Sequence, residues 1–298
     1  MVPRVAGSNP VCRPILFSSV IFIFRFLVIF LSVQFSSFGA NWLSKEIVVK
    51  EHIDLAYGEN AKQILDVVTS GKCNRSPVVI FVHGGSWRWG QKDYHRSIGK
   101  QLARNGILFI TIDYRLYPEV KFPSFPEDVA LSVKWARENV SKFGGDKDKV
   151  FLMGHSAGGH SVSLVGLDSQ YLKKCGGELD WIKGVIPMAC PFQFDPSKEF
   201  LYRNLFPSEI PAEQMMPMSI KTKTGIPPFF IMHGFFDPII RHEVAYDFTR
   251  KINEAGGDAE MKLYNSHGHA SLIRRTTSWH IWPKPLLRDI ISFINSKV

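Results

Sequence analysis

Short apolar runs recur along the chain from Lys45 to the C-terminus, and polar segments separate them. Continuous apolar runs of this length are typical of strands in a parallel sheet that is covered on both faces. The pattern predicts strands over 77–83, 107–112, 149–154, 183–189, 228–233 and 260–264.

Helical periodicity fills most of the segments between those strands. The pattern predicts helices over 94–105, 127–143, 160–167, 242–257 and 286–295, and the third of them begins near Ser156. The segments 127–143 and 242–257 each meet a pair of glycines, which commonly stop a helix. Strands that alternate with helices indicate an α/β fold with a doubly wound, mostly parallel sheet.

Two parts of the chain do not show this alternation of strands and helices. Residues 191–227 are rich in proline and aromatic residues and show little periodicity. Because excursions between late strands carry binding loops in such folds, we interpret this segment as a small cap. The remainder of 41–298 has the length of one α/β domain, and residues 1–40 form an apolar N-terminal extension.

The N-terminal extension contains an apolar run over 15–35 that Arg25 interrupts. Residues 1–40 are therefore interpreted either as a single membrane anchor, with membrane association through 15–35, or as a cleaved signal peptide. Arg4 and Arg13 precede the run, so the positive-inside rule sends the rest of the chain to the lumen or exterior. This predicts the secretory pathway, whereas a misassigned start codon would leave the protein in the cytoplasm.

Sequons and cysteines add little to this choice. The sequons Asn74-Arg-Ser and Asn139-Val-Ser are compatible with the secretory pathway, although Pro77 follows the first. The cysteines occur singly, which argues against zinc and dithiol sites and favours isolated thiols, while a lumenal location would allow one disulfide. They are Cys12, Cys73, Cys175 and Cys190.

The charge pattern excludes one class of partner. The 298 residues carry a formal net charge of +9, but the charge is spread along the chain, and the longest basic cluster, 221–223, holds two lysines. Without a basic patch or a nucleic-acid motif, we expect no nucleic acid as partner. No metal, nucleotide or cofactor motif is present, so the sequence predicts no cofactor and a small-molecule substrate.

The stretch Gly154-His155-Ser156-Ala157-Gly158 lies between a predicted strand and a predicted helix. This is the setting of a nucleophile elbow, a sharp turn that tolerates only small neighbours and exposes the serine oxygen above the sheet. The helix N-terminus that follows favours negative charge at this point. The sequence therefore predicts that Ser156 is a nucleophile.

A second glycine-rich turn, His83-Gly84-Gly85-Ser86-Trp87, follows the first predicted parallel strand. Glycines there let backbone N–H groups point into a cavity, where they stabilise an oxyanion together with the N–H of Ala157. We expect His83 to fix this loop by hydrogen bonding, and we expect Trp87 and Trp89 to form walls of a substrate pocket.

A serine nucleophile needs a base, and the base needs an acid that orients it. Asp237 lies in the turn after the predicted strand 228–233, where an acid at the carboxyl edge of the sheet belongs. Its rivals, on or after the next helix, are Glu243, Asp247 and Asp258. After the last predicted strand, the sequence offers both His267 and His269 as the base, and position alone does not separate them.

Five motifs together resemble those of the α/β-hydrolase esterases: HGGSW, IDYRLYPE, GGDKDKVFLMGHSAGGH, HGFFDP and SHGH. The similarity is greatest to the small branch with an HGG-x-W loop, which includes kynurenine formamidases, isoprenylcysteine methylesterases and bacterial carboxylesterases. It covers roughly residues 46–296. The motifs are specific for the superfamily but carry little information about the substrate.

The resemblance implies a role for each matching residue. Ser156 matches the nucleophile, Asp237 the acid and His269 the base, because the family's base follows a tyrosine-led segment and His269 stands at the matching distance from Tyr264. The extra histidine at 267 departs from the family pattern. The positions that match the oxyanion hole are Gly84, Gly85 and Ala157.

These roles predict a serine hydrolase that cleaves a carboxylic ester through an acyl-enzyme. An arylformamidase that acts on N-formylkynurenine-like amides would use the same residues, so this alternative stays open. A non-catalytic binding module with a hydrolase fold is a third hypothesis, and it would be expected to lack one of the three residues.

Overall fold

The computed structural model describes residues 47–221, 225–277 and 285–298, with the backbone alone for 274–277. Eight strands in this part of the chain form one sheet. The strands are β1 Val49–Ala56, β2 Ile64–Ser70, β3 Ser76–Val82, β4 Leu108–Ile112, β5 Gly145–His155, β6 Ile182–Met188, β7 Phe229–Gly234 and β8 Ala259–Tyr264.

The strand order in the sheet is β1-β2-β4-β3-β5-β6-β7-β8. β1 pairs antiparallel with β2, and β2 pairs antiparallel with β4. All pairs from β4 to β8 are parallel. Because parallel strands end at the same edge, the turns after β3, β5, β7 and β8 lie together at the carboxyl edge of the sheet.

The helices of the described residues cover both faces of the sheet. They are α1 Arg96–Arg104, α2 Ser124–Asn139, α3 Ala157–Leu167, α4 Ser169–Lys173, α5 Ala212–Met215, α6 Glu243–Glu254, α7 His269–Thr277 and α8 Pro285–Ser296. Short 3-10 helices occupy Lys92–His95, Val140–Phe143 and Leu179–Trp181.

Each face of the sheet has its own apolar layer. On one face, strand residues such as Ile80 and Leu152 pack with side chains of α2, α3 and α6, Val129 and Phe248 among them. On the other face, Phe109 and Phe151 pack with side chains of α1 and α8. Burial of these two layers holds the sheet rigid, so the turns at its carboxyl edge are fixed in place.

The predicted α/β fold with a mostly parallel sheet is confirmed. β1 and β2 form an antiparallel edge, ahead of the first strand that the apolar runs predicted. α2 begins at Ser124, before the predicted start, and after Asn139 the chain continues as a 3-10 turn to Phe143. Gly144, with φ 87°, stops that turn in a backbone conformation that favours glycine.

In its described residues, the segment interpreted as a cap has little regular structure, with one helix, α5, over Ala212–Met215. It is nevertheless packed onto the domain, because Leu205, Phe206, Met215 and Met216 are buried. Its backbone is also tied to the domain, since the N–H of Phe122 donates to the carbonyl of Leu205.

The predictions for residues 1–40 fall outside the described residues. Within the described part of the chain, no helix combines the length and the hydropathy that a membrane span requires. Cys73, Cys175 and Cys190 carry free thiols, and Cys12 lies in the undescribed extension.

Candidate active site

Ser156 stands in a sharp turn between the end of β5 and the start of α3. Its φ and ψ are 53° and −117°, a conformation that few residues other than glycine adopt. The flanking glycines permit this turn, because a Cβ on residue 154 would lie 2.5 Å from the carbonyl carbon of Gly158. A Cβ on residue 158 would collide with the carbonyl of Val82. Only glycine therefore fits at positions 154 and 158.

The serine hydroxyl lies within hydrogen-bond distance of a histidine from the other half of the chain. Nε2 of His269 is 3.0 Å from Oγ of Ser156. On the opposite side of the ring, Nδ1 of His269 is 2.8 Å from Oδ2 of Asp237. The carboxyl edge of the sheet thus brings together three residues that lie far apart in sequence.

His267 occupies a different environment on the same loop. Its side chain is buried, with Nδ1 3.2 Å from Oγ of Ser266 and its ring against Tyr264. Its carbonyl accepts a hydrogen bond from the N–H of Phe236, which ties the loop to the turn that carries the acid. Of the two histidines, it is His269 whose ring reaches Ser156.

The rival carboxylates point to other partners. Glu243 pairs with Arg241, Asp247 with Arg250, and Asp258 with Lys297. All three carboxylates are at least half exposed, whereas the side chain of Asp237 is fully buried. Asp237 is therefore the carboxylate that the fold brings to the histidine.

The glycine-rich turn after β3 approaches the serine from the other side. A Cβ on residue 84 would lie 3.0 Å from Cβ of Ser156, so Gly84 is in close contact with the elbow. Gly85 has a φ of 124°, and its carbonyl accepts hydrogen bonds from the N–H groups of Arg88 and Trp89. Gly84 and Gly85 thus lie beside Ser156, as does Ala157 at the start of α3.

His83 anchors this turn in the neutral state. Nδ1 of His83 is 2.8 Å from the carbonyl of Gly84, and the hydroxyl of Tyr114 donates to the carbonyl of His83. Burial lowers the pKa of His83 to about 4. The residue therefore contributes a hydrogen bond to the loop rather than a charge.

A cavity of about 530 Å³ opens at Ser156. The residues that line it come from the turn after β3, the elbow, the cap segment and the turn after β7. They are Gly85, Ser86, Trp87, His155, Ser156, Ala157, Pro191, Gln193, Phe194, Glu199, Tyr202, Ile239, Ile240, Arg241, Val244 and His269. Its volume lies in the range of small-molecule sites.

The two tryptophans of the first turn differ in their placement. Trp87 is almost completely buried and forms a wall of the cavity with Phe194 and Tyr202. The prediction for Trp89 is wrong, because its side chain is 59% exposed and it does not line the cavity. The hydrogen bonds to the carbonyl of Gly85 close a tight turn that carries Trp87 inward and leaves Trp89 at the surface.

Comparison with known proteins shows similarity to several esterases. A family model described as BD-FAE matches residues 65–184. Isoprenylcysteine alpha-carbonyl methylesterase of Arabidopsis thaliana is 28% identical over 264 residues, which is 82% of this chain and 60% of the relative. Esterase LipC of Mycobacterium tuberculosis is 31% identical over 216 residues, 66% of this chain and 53% of the relative. The chain thus spans about 60% of the length of the methylesterase relatives.

Solved structures share the fold of the described residues. Inhibited esterase B from Lactobacillus rhamnosis superposes with a TM-score of 0.70 at 19% identity, covering 93% of this chain and 96% of that chain. A hyperthermophilic esterase from Pyrobaculum calidifontis gives 0.66 at 21% identity, covering 84% and 85%. The chain has the α/β-hydrolase fold.

In this fold, a second histidine lies behind Asp237. Nε2 of His233, at the end of β7, is 3.0 Å from the carbonyl of Ile240 and 3.3 Å from Oδ2 of Asp237. Oδ1 of Asp237 accepts hydrogen bonds from the N–H groups of Ile239 and Ile240. Burial by itself would raise the pKa of Asp237, but hydrogen bonds from His233, His269 and Ile240 outweigh it and hold the pKa well below its usual range.

A third histidine, His155, lies beside His269. It ends β5, is buried, and places Nε2 3.0 Å from the carbonyl oxygen of His269. No role was predicted for His155 or His233 from the sequence. Their position in the sequence could have identified them, because each histidine lies at the end of a predicted parallel strand, at the sheet edge that carries the site.

Metal-binding side chains are not clustered in the described part of the site. Among the described residues, no group of three or more His, Cys, Asp and Glu side chains is arranged to hold a metal ion. The polar groups that the described residues bring together at the cavity include Ser156, His269 and Asp237.

Proposed function

We propose that this protein is a serine hydrolase that cleaves carboxylic esters through an acyl-enzyme. The observation that carries the proposal is the pair of hydrogen bonds that joins Asp237 to His269 and His269 to Ser156. A nucleophile, a base within reach of it and an acid that orients the base are the three groups that this chemistry needs.

In the first half of the proposed reaction, Nε2 of His269 accepts the proton of the Ser156 hydroxyl while the oxygen attacks the ester carbonyl carbon. Asp237, held ionised by its hydrogen bonds, fixes the proton of His269 on Nδ1 and stabilises the imidazolium that forms. The imidazolium then gives its proton to the leaving alkoxide, and the alcohol departs.

The negative charge that develops on the carbonyl oxygen needs hydrogen-bond donors that are already in place. The backbone N–H groups of Gly84, Gly85 and Ala157 flank Ser156 and are the proposed donors. Ala157 also begins α3, whose N-terminus favours negative charge. In the second half of the reaction, His269 activates a water molecule, which releases the acid from Ser156.

The cavity favours esters with an apolar group. Its walls include Trp87, Phe194, Tyr202, Ile240 and Val244. Large exposed apolar side chains lie on the segments next to it: Phe200, Leu201, Phe236 and Ile239. The name of the Arabidopsis methylesterase describes a relative that acts on a methyl ester beside a prenyl group, which is a substrate of this character. We therefore propose an apolar carboxylic ester as the substrate class.

The test is hydrolysis of a p-nitrophenyl ester series by the purified protein, with N-formylkynurenine as the competing amide. We expect measurable turnover of the esters, a higher kcat/KM for apolar acyl groups, and loss of turnover in Ser156→Ala. A fluorophosphonate probe should label the wild type and not this variant. Faster cleavage of N-formylkynurenine than of any ester would favour the arylformamidase, and equal labelling of both proteins would remove Ser156 from the mechanism.

We also propose that residues 1–40 take the protein into the secretory pathway, as an anchor or as a cleaved signal. The apolar run over 15–35 and the sequon at Asn139 support this. Expression in a eukaryotic host should give a glycosidase-sensitive mass that Asn139→Gln removes. A cytosolic protein with an intact N-terminus would contradict the proposal.

A further inference from the structure

His155 contacts the backbone of the base, and not only its ring. The Nε2 atom of His155 lies 3.0 Å from the carbonyl oxygen of His269, and the two ring centroids are 4.9 Å apart. A carbonyl oxygen only accepts hydrogen bonds, so Nε2 of His155 must carry the proton. The geometry therefore requires the Nε2–H tautomer of this residue.

The same residue also contacts the turn that approaches from β3. A Cβ on residue 84 would lie 2.9 Å from the carbonyl oxygen of His155 and 3.0 Å from its Nδ1 atom. His155 precedes Ser156 directly in the chain. One buried side chain therefore touches the loop of the base and the glycine turn, and its own backbone continues into the elbow.

We propose that His155 is a positioning residue for His269, and that its Nε2–H holds the backbone carbonyl of the base so that the imidazole reaches Ser156. This inference rests on the function proposed above. Gly268 immediately precedes His269, so the chain on that side of the base has no side chain to fix it. A base must lie within about 2.6–3.2 Å of the proton that it takes, and a displacement of about 1 Å can cost about 10²-fold in rate.

The surroundings of His155 suit a neutral donor. Burial, and then the nearby His269, lower the pKa of His155 to about 4, although the His269 carbonyl and Asp237 act in the opposite direction. The remaining charge-bearing neighbours are His233 and His95. Because His155 stays neutral when His269 takes the proton of Ser156, no second cation opposes the imidazolium.

Three substitutions separate the hydrogen bond from the bulk of the side chain. The amide nitrogen of glutamine is as many bonds from Cα as Nε2 of histidine, whereas that of asparagine matches Nδ1. His155→Gln therefore keeps a donor for the His269 carbonyl, and His155→Asn and His155→Leu do not. We expect kcat on a soluble p-nitrophenyl ester to fall by about 10²-fold in the Asn and Leu variants, with KM close to wild type and substantial recovery in the Gln variant.

A wild-type kcat in His155→Leu, or equal losses in the Gln and Asn variants, would overturn the inference. A measurement on the unaltered protein covers the case in which the variants do not fold. Nitrogen-15 NMR of labelled histidine should give the Nε2–H tautomer for His155, and an Nδ1–H tautomer would also overturn the inference. By contrast, full activity in Ser156→Ala would count against the proposed function and leave the tautomer of His155 to be decided by NMR.

Discussion

Nδ1 of His269 lies 2.8 Å from Oδ2 of Asp237, while Oδ1 of the same carboxylate accepts the N–H groups of Ile239 and Ile240. The two oxygens of Asp237 therefore have separate tasks. Oδ1 closes the turn after β7, and Oδ2 faces the base. Because the two oxygens have different partners, a substitution can change the contact with His269 and keep the hydrogen bonds of the turn.

Asp237→Asn keeps an oxygen for the turn but places an amide N–H group opposite Nδ1 of His269. The ring must then present an unprotonated Nδ1, which moves its proton to the nitrogen that should receive the serine proton. We expect kcat to fall by about 10⁴-fold with little change in melting temperature. Asp258→Asn, at a carboxylate that pairs with Lys297 on the surface, is the control and should retain wild-type kcat.

The two histidines of the SHGH sequence should differ sharply in their effect on turnover. His269→Ala removes the ring that contacts Ser156, and we expect a loss of kcat of about 10⁴-fold or more. His267→Ala removes contacts with Ser266 and Tyr264, so it should lower the melting temperature and leave most of kcat. If His267→Ala were inactive and His269→Ala active, the assignment of the base would be wrong.

A methyl group at residue 84 should lower kcat while the protein still folds. In Gly84→Ala the new Cβ would lie 3.0 Å from Cβ of Ser156 and 2.9 Å from the carbonyl of His155, so the turn must shift away from the elbow. Displacing one oxyanion donor is expected to lower kcat by about 10²–10³-fold. Gly71→Ala has open space around its Cβ and provides the control. Equal kcat values in the two variants would exclude Gly84 from the oxyanion site.

Buried histidines should make the stability of the fold depend on pH. Burial lowers the pKa of His83 and His155 to about 4, and that of His95 and His160 to about 3. Below the ordinary histidine pKa of about 6.5, the unfolded chain takes up protons at these positions while the folded protein does not. The free energy of unfolding should therefore fall as pH drops from about 6.5 towards 4, by up to about 1.4 kcal/mol per pH unit for each group.

Urea unfolding at several values of pH across this range measures that slope. His160→Leu removes one of the buried groups, since His160 is completely buried in α3, and should make the slope shallower. His242→Gln, at a partly exposed histidine that directly precedes α6, is the matched surface control. Identical slopes in both variants would show that the histidines do not cause the pH dependence.

The succession along the chain of strands β3 to β8 and of helices α1, α2, α3, α6 and α8 could be predicted from the sequence, because apolar runs and helical periodicity are local properties. The same holds for the elbow at Ser156, since glycines at 154 and 158 are required by contacts within a few residues and with the adjacent strand. The position of Asp237 at the carboxyl edge of the sheet could also be predicted from the sequence, because this residue comes directly after a strand that ends there. The antiparallel edge formed by β1 and β2 lies outside the apolar runs that gave the other strands. β1 is largely exposed on both faces, and the polar residues Asp66 and Thr69 interrupt the apolar positions of the buried β2.

Other features depend on how segments that are distant in sequence meet. His267 and His269 share one loop, and residue types do not indicate which ring turns towards the serine; the contacts of Ser156 and Asp237 do. Trp87 and Trp89 flank the same turn, yet one is buried and the other exposed, because the hydrogen bonds of that turn set the side-chain directions. The sequence by itself determined which chemical groups come to the carboxyl edge. The tertiary structure decided which of them touch, because the direction of a side chain in a turn is set by packing between segments and not by local periodicity.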